Sequence, residues 1–200
     1  MDLRKLSARM QNWASKYFTT RVLAEAGMML ALATILGRIK VYTAAQGGSV
    51  TAGSMIPLLL IAMMRGPVVG VAAGLVYSVI DFMFDSQFYH PIQFILDYPL
   101  AFGALGLAGM FWKPVIQGRV KRIGKILLSA VGAVVGIGGR FLCHFLAGVW
   151  FFGEFAPEGT PAWLYSLGYQ AGYLVPEIII SAAILSLLVP SLTVYLRRRF

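Results

Sequence analysis

ILLSAVGAVVGIGGRFLCHFLAGVWFF, residues 126–152, is apolar from end to end except for Arg140, His144 and small polar atoms. A helix needs roughly 20 apolar residues to cross a bilayer core. This run is long enough, and no soluble helix of one domain needs to be apolar on every face. Residues 126–152 therefore predict a membrane-spanning helix, and the rest of the chain can be tested against that reading.

Outward from it, similar runs recur. They cover about Val22–Gly37, Thr51–Met64, Val68–Phe84, Ile92–Trp112 and Tyr165–Leu196. The Thr51–Met64 run is short for a full crossing. It ends at the basic turn Arg65-Gly66-Pro67, where Pro suits the first turn of a following helix. Across its 200 residues the chain is 58% hydrophobic and 12% charged, with a mean hydropathy of +0.76. A soluble domain is nearer half apolar and about a quarter charged. So few charges cannot cover a water-facing surface. The expectation is an all-α integral membrane protein of six transmembrane helices, multi-pass in the cell membrane. It forms a single membrane domain over 1–200: a cytoplasmic lead-in over 1–20, a six-helix bundle over 21–196 and a basic tail over 197–200. The lead-in is too polar for the continuous apolar core of a signal peptide.

The net charge of +9 does not indicate nucleic acid. Lys and Arg occupy the chain ends and a few gaps, not a groove interleaved with exposed aromatics. Their placement is topological. Arg4, Lys5, Arg9, Lys16 and Arg21 precede the first run. Arg65 follows the second, and Lys113, Arg119, Lys121, Arg122 and Lys125 follow the fourth. Arg197, Arg198 and Arg199 close the chain. The alternate loops hold only Arg38 and Lys40. By the positive-inside rule, six crossings place both termini in the cytoplasm, and an odd number would spoil the partition.

An ionisable group at membrane depth costs at least ~2.5–3.5 kcal/mol on insertion scales, so each one is a candidate for function. Glu25 and Asp81 lie near run ends. Asp97, Arg140, His144 and Glu177 lie deeper. Arg140 and His144 are four apart and share a helix face, which Gly148 extends. With the topology above, all four groups converge on the outer half of the bundle. Tyr89, His90, Trp150, Phe151, Phe152, Phe155, Trp163, Tyr165, Tyr169 and Tyr173 surround that region. Acids with aromatic faces suit an organic cation; an interfacial aromatic belt is the alternative for any one ring. Arg140 has two readings, as a site group or as a structural bridge to Asp97 or Glu177. Two distant histidines and the single Cys143 make no metal motif. No phosphate loop is present, and no nucleophile stands beside an evident base. These absences weigh against an enzyme, although His144 with Asp97 or Glu177 leaves an intramembrane acid–base reading open.

Four stretches carry a resemblance: QGGSVTAGSMIPLLLIAMMRGP (46–67), HPIQFILDYPLAFGALGLAGMF (90–111), GRFLCHFLAGVWFFGEFAPEG (139–159) and SLGYQAGYLVPE (166–177). In this order they resemble the thiamine-specific substrate-binding components of energy-coupling-factor transporters, a class of ABC transporter. The resemblance spans about Arg21 to Leu196. It implies a subunit without a cofactor that captures thiamine at its extracellular half. It further implies a transmembrane coupling subunit and two ATPase subunits as partners that drive uptake. The family's ligand-binding positions fall on Asp97, Tyr98, Arg140, His144, Gly148, Phe152, Tyr165 and Gln170. Asp97 stands where some members have Glu, Arg140 where some have Lys, Phe152 where some have a stacking Trp, and Gln170 where some have Asn. A Trp in the first loop of some members has no counterpart here; the segment with Gly47, Gly48 and Ser49 is expected to act as a lid over the site, since its glycines permit unusual backbone angles. Small residues on the first helix, here Gly27 and Ala31, face the coupling subunit. A substrate-binding component for another vitamin is the nearest alternative.

Overall fold

The computed structural model describes residues 13–118 and 120–197. Arg4, Lys5, Arg9, Arg119, Arg198 and Arg199, which the topological count used, lie outside the described residues. Helix α1 spans Thr20–Arg38, α2 Met55–Arg65, α3 Pro67–Phe84, α4 Pro91–Phe111, α5 Arg122–Phe151 and α6 Ala162–Arg197. All but α2 are long and apolar enough to cross a membrane. Their exposed side chains are apolar, as lipid requires: Leu23, Met28 and Ile35 on α1, Val79 and Met83 on α3, Leu127 and Leu142 on α5, Ile179 and Leu187 on α6. This is a multi-pass membrane protein.

The short second run resolves into two pieces. Its helix, α2, has 11 residues. At 1.5 Å per residue that is roughly 16 Å, half the hydrocarbon thickness. Met55 through Met63 are all buried, so α2 is a central post that meets protein on every side. A β-hairpin precedes α2, where the sequence alone predicts only a glycine-bearing loop. Strand β1, Lys40–Thr43, pairs antiparallel with β2, Ser49–Thr51. Val41, Tyr42, Thr43, Val50 and Thr51 suit a pleated strand, and Gly47 takes the positive φ of 87° that the turn requires. Ladder bonds pair the backbones of the two strands.

Helix α4 is not one regular helix. It starts as α-helix over Pro91–Ile95, widens to a π-turn over Leu96–Leu100, and finishes as α and then 3-10 helix through Phe111. Pro99 is the local cause: it has no N–H to donate, and its ring crowds the carbonyl one turn earlier. Helices α3 and α4 touch backbone to backbone. A Cβ on Gly74 would stand 2.2 Å from the Phe102 carbonyl oxygen, and one on Gly106 would stand 2.3 Å from the Val71 nitrogen. Small residues permit such an approach between lipid-embedded helices, where dispersion replaces the hydrophobic drive.

Charges near the two ends of the bundle are paired. Arg65 grips Glu25 through two bonds of 2.6 Å. Arg38 bonds Asp81 at 2.8 Å, and Lys40 bonds Asp85. The hairpin, the loop over 85–90 and the loop over 152–161 share one end of the bundle. Arg65, Lys113, Lys121 and Arg122 lie at the other.

Candidate functional site

The hairpin roofs a cavity of about 1080 Å³, its mouth included. Asp97, Tyr98, Arg140, His144, Gly148, Phe152, Tyr165 and Gln170 all line it, as do Gly47, Gly48 and Ser49. The full lining draws on the hairpin and on all six helices, which thus meet around one space.

The polar centre is a chain of three side chains. His144 Nδ1 lies 2.7 Å from Asp97 Oδ1, and Arg140 Nε donates to His144 Nε2 at 3.1 Å. Arginine offers only donors, so Nε2 must accept, and the imidazole proton resides on Nδ1 and points at Asp97. His144 therefore relays the Arg140 charge to Asp97. Among the described residues Arg140 forms no direct ion pair with Asp97 or Glu177, so the structural bridge runs through His144. The Arg140 guanidinium also rests over the Phe102 ring at 4.2 Å from its centre. The π-turn at Leu96–Leu100 carries Asp97, and a widened turn at a site is a common way to re-aim a side chain. Gln93, one turn earlier and fully buried, donates to Asp97 Oδ2 at 2.6 Å.

Tyr98 lines the cavity, but its hydroxyl is engaged elsewhere. It donates to the Asp85 carbonyl and accepts from Gln87 N–H, both at 2.8 Å. Its ring stacks on Phe94, with centroids 5.4 Å apart. It thereby pins the 85–87 loop at the rim. Gly148 lines the cavity and also serves packing. The room left by its missing side chain is taken by Ser166: a Cβ there would stand 2.2 Å from the Ser166 hydroxyl. That gap lets α6 close on α5. Gln170 donates to the His144 carbonyl at 3.2 Å and accepts from the Tyr173 hydroxyl. Phe152 meets Tyr89 edge-on, and Tyr165 leans on Tyr169, so the walls are aromatic.

The roof is tied to α6 in two places. Near the turn, Gln46 N–H and Gly48 N–H both donate to the Tyr169 hydroxyl at 3.0 Å. Gly48 has no alternative residue, since a Cβ would meet the Tyr173 ring at 2.6 Å. At the base, Thr51 donates its N–H and its hydroxyl to Glu177 Oε1 at 2.6 and 2.8 Å. Gln93 and Arg38 carry no site signal in the sequence, while Tyr169 enters only as one of the surrounding aromatics and Asp81 only as an acid near a run end.

The cavity lining holds three bases, Arg38, Lys40 and Arg140, against four acids, Asp81, Asp85, Asp97 and Glu177. With His144 neutral, the formal balance is one negative charge in excess.

Residues 23–196 match the family described as thiamine transporter protein. The chain is 41% identical over 171 residues to the thiamine transporter ThiT of Bacillus subtilis, covering 83% of this chain and 88% of the relative. It is 30% identical over 174 residues to ThiT of Lacticaseibacillus paracasei, covering 84% and 86%. The solved structure of ThiT from Listeria monocytogenes superposes with a TM-score of 0.77 at 27% identity, covering 85% of this chain and 93% of that one.

Proposed function

This chain belongs to the thiamine transporter protein family, and from that premise we propose that it is the thiamine-capturing membrane subunit of an energy-coupling-factor importer. The observation that carries the reading is the charge balance of the roofed cavity. One negative charge in excess, inside aromatic walls, complements a permanently cationic thiazolium joined to a flat aminopyrimidine. Asp97, Tyr98, Arg140, His144, Gly148, Phe152, Tyr165 and Gln170 form the binding surface, and Gly47, Gly48 and Ser49 form the lid. The Asp97–His144–Arg140 chain fixes polar atoms in place before the ligand arrives, which lowers the ordering cost of binding.

In this reading the bundle crosses six times, the α2 crossing being completed by the hairpin. Both termini are cytoplasmic and the cavity opens outside, because Arg65, Lys113, Lys121 and Arg122 lie at the opposite end. The subunit does no chemistry, and ATP is hydrolysed by two ATPase partners. A transmembrane coupling subunit docks on α1, where Gly27 and Ala31 are exposed and nothing lies within 4 Å of the space above Gly27.

A vitamin panel against the purified protein in detergent tests the ligand. A bound ligand stabilises by RT ln(1 + [L]/Kd), about 4 kcal/mol at a thousandfold excess over Kd. Thiamine should raise the melting temperature, with riboflavin and biotin inert. A shift with another vitamin and none with thiamine overturns the reading.

A further inference from the structure

Three of the four acids in the cavity already have cationic company. Asp81 pairs with Arg38, Asp85 with Lys40, and Asp97 with Arg140 by way of His144. Glu177 is different. It is fully buried, and both of its hydrogen bonds come from the neutral Thr51 to a single oxygen. Its other oxygen, Oε2, is buried with no hydrogen-bond partner among the described residues. A lone charge of this kind is expensive at membrane depth unless something completes it. The negative charge in excess within the cavity therefore has an address on α6.

We infer that Glu177 is the counter-charge of the bound cation and the residue that sets the preference for a positively charged ligand. The inference rests on the thiamine reading above and assigns its charge recognition to a residue that the family resemblance did not supply. One carboxylate does two jobs. Oε1 holds strand β2 at the base of the lid, and Oε2, sealed from water and without a hydrogen-bond partner among the described residues, leaves its charge within the cavity wall. Gln46 supplies a second unpartnered acceptor to the cavity, but it sits on the hairpin turn and its place depends on the roof. Glu177 is fixed by a long helix, so its charge is in place whether the turn is up or down. The cation satisfies the carboxylate, and the same carboxylate keeps the strand seated. Ligand charge and lid position are thus joined through one side chain.

The test compares thiamine with a neutral analogue of the same shape, in which the thiazolium nitrogen is replaced by carbon. Dissociation constants are measured by calorimetry on wild-type protein and on Glu177→Gln. The amide keeps an oxygen for Thr51 and removes only the charge. Wild type should prefer thiamine over the neutral analogue. E177Q should lose roughly tenfold or more for thiamine and little for the analogue, so that the ratio collapses. An unchanged ratio overturns the assignment, even if both ligands weaken together. Wild-type protein that binds neither ligand refutes the thiamine reading itself, which is a separate outcome. Should E177Q fail to fold, the wild-type structure with thiamine gives the answer. Glu177 Oε2 within roughly 6 Å of the thiazolium supports the assignment. A thiazolium paired with Asp97 and remote from Glu177 overturns it.

Discussion

Thr51 and Glu177 stand 126 positions apart in the chain, yet the backbone and hydroxyl of one bond the same carboxylate oxygen of the other. This contact fastens the end of β2 to α6 and fixes how the roof meets the wall. Replacing Thr51 with Val keeps the strand shape and the N–H bond but removes one charge-assisted donor from a buried acid. Such a loss costs roughly 1.5–3 kcal/mol. Thr51→Val should lower the melting temperature of the purified protein, with thiamine still binding. An unaltered melting curve would show that the hydroxyl is dispensable.

The second tether predicts a kinetic effect. Tyr169→Phe keeps the ring but leaves Gln46 N–H and Gly48 N–H without their shared acceptor. Each neutral bond contributes about 0.5–1.5 kcal/mol to the closed roof. Stopped-flow fluorescence should show faster thiamine release, by roughly fivefold or more. The association rate should change much less, because the open state lacks these bonds in either protein.

Asp97 holds the proton of His144 and so orders the polar cluster. Asp97→Asn leaves side-chain shape and burial nearly unchanged. It should weaken thiamine binding about tenfold or more without unfolding the protein, as read by calorimetry beside a melting curve. Affinity equal to wild type would remove Asp97 from the binding surface.

Packing between α3 and α4 predicts a purely structural failure. Gly74→Val would drive a branched side chain into the Phe102 carbonyl, where even a Cβ has only 2.2 Å. Backbone cannot yield as a flexible side chain can, and overpacking typically costs about 1–3 kcal/mol, more where backbone must move. The variant should be recovered poorly from membranes and elute from size exclusion as aggregate.

Coupling and capture should separate at Gly27. The space above it is open, and it lies on α1, whose residues do not line the cavity before Gly37. Gly27→Trp should abolish thiamine uptake by cells that contain the partner subunits, while purified protein binds thiamine as before. Normal uptake would place the docking face elsewhere.

Much of this was legible from the chain alone. Five long helices follow from apolar runs, because the cost of placing each residue in lipid is close to additive along the sequence. The Arg140, His144 and Gly148 face follows from helical periodicity, and all three do border the cavity. The resemblance gathered the other binding positions. Less was visible where pairing across the chain decides the structure. The hairpin over 40–51 hid in a polar, glycine-bearing stretch. The buried post α2 read as a short crossing. The gap at Gly148 is filled by Ser166 from the next helix.

Sequence fixed which residues must leave water, since hydrophobic transfer is a property of each side chain and its immediate neighbours. It also showed that Asp81, Asp97 and Glu177 are costly to bury. Only the folded chain decided which acid keeps an oxygen without a hydrogen-bond partner among the described residues. Arg38 reaches Asp81 and Lys40 reaches Asp85, while among the described residues Glu177 hydrogen-bonds only an uncharged threonine. Pairing is a matter of distance in space, and residues forty or a hundred positions apart acquire that distance only when the bundle closes.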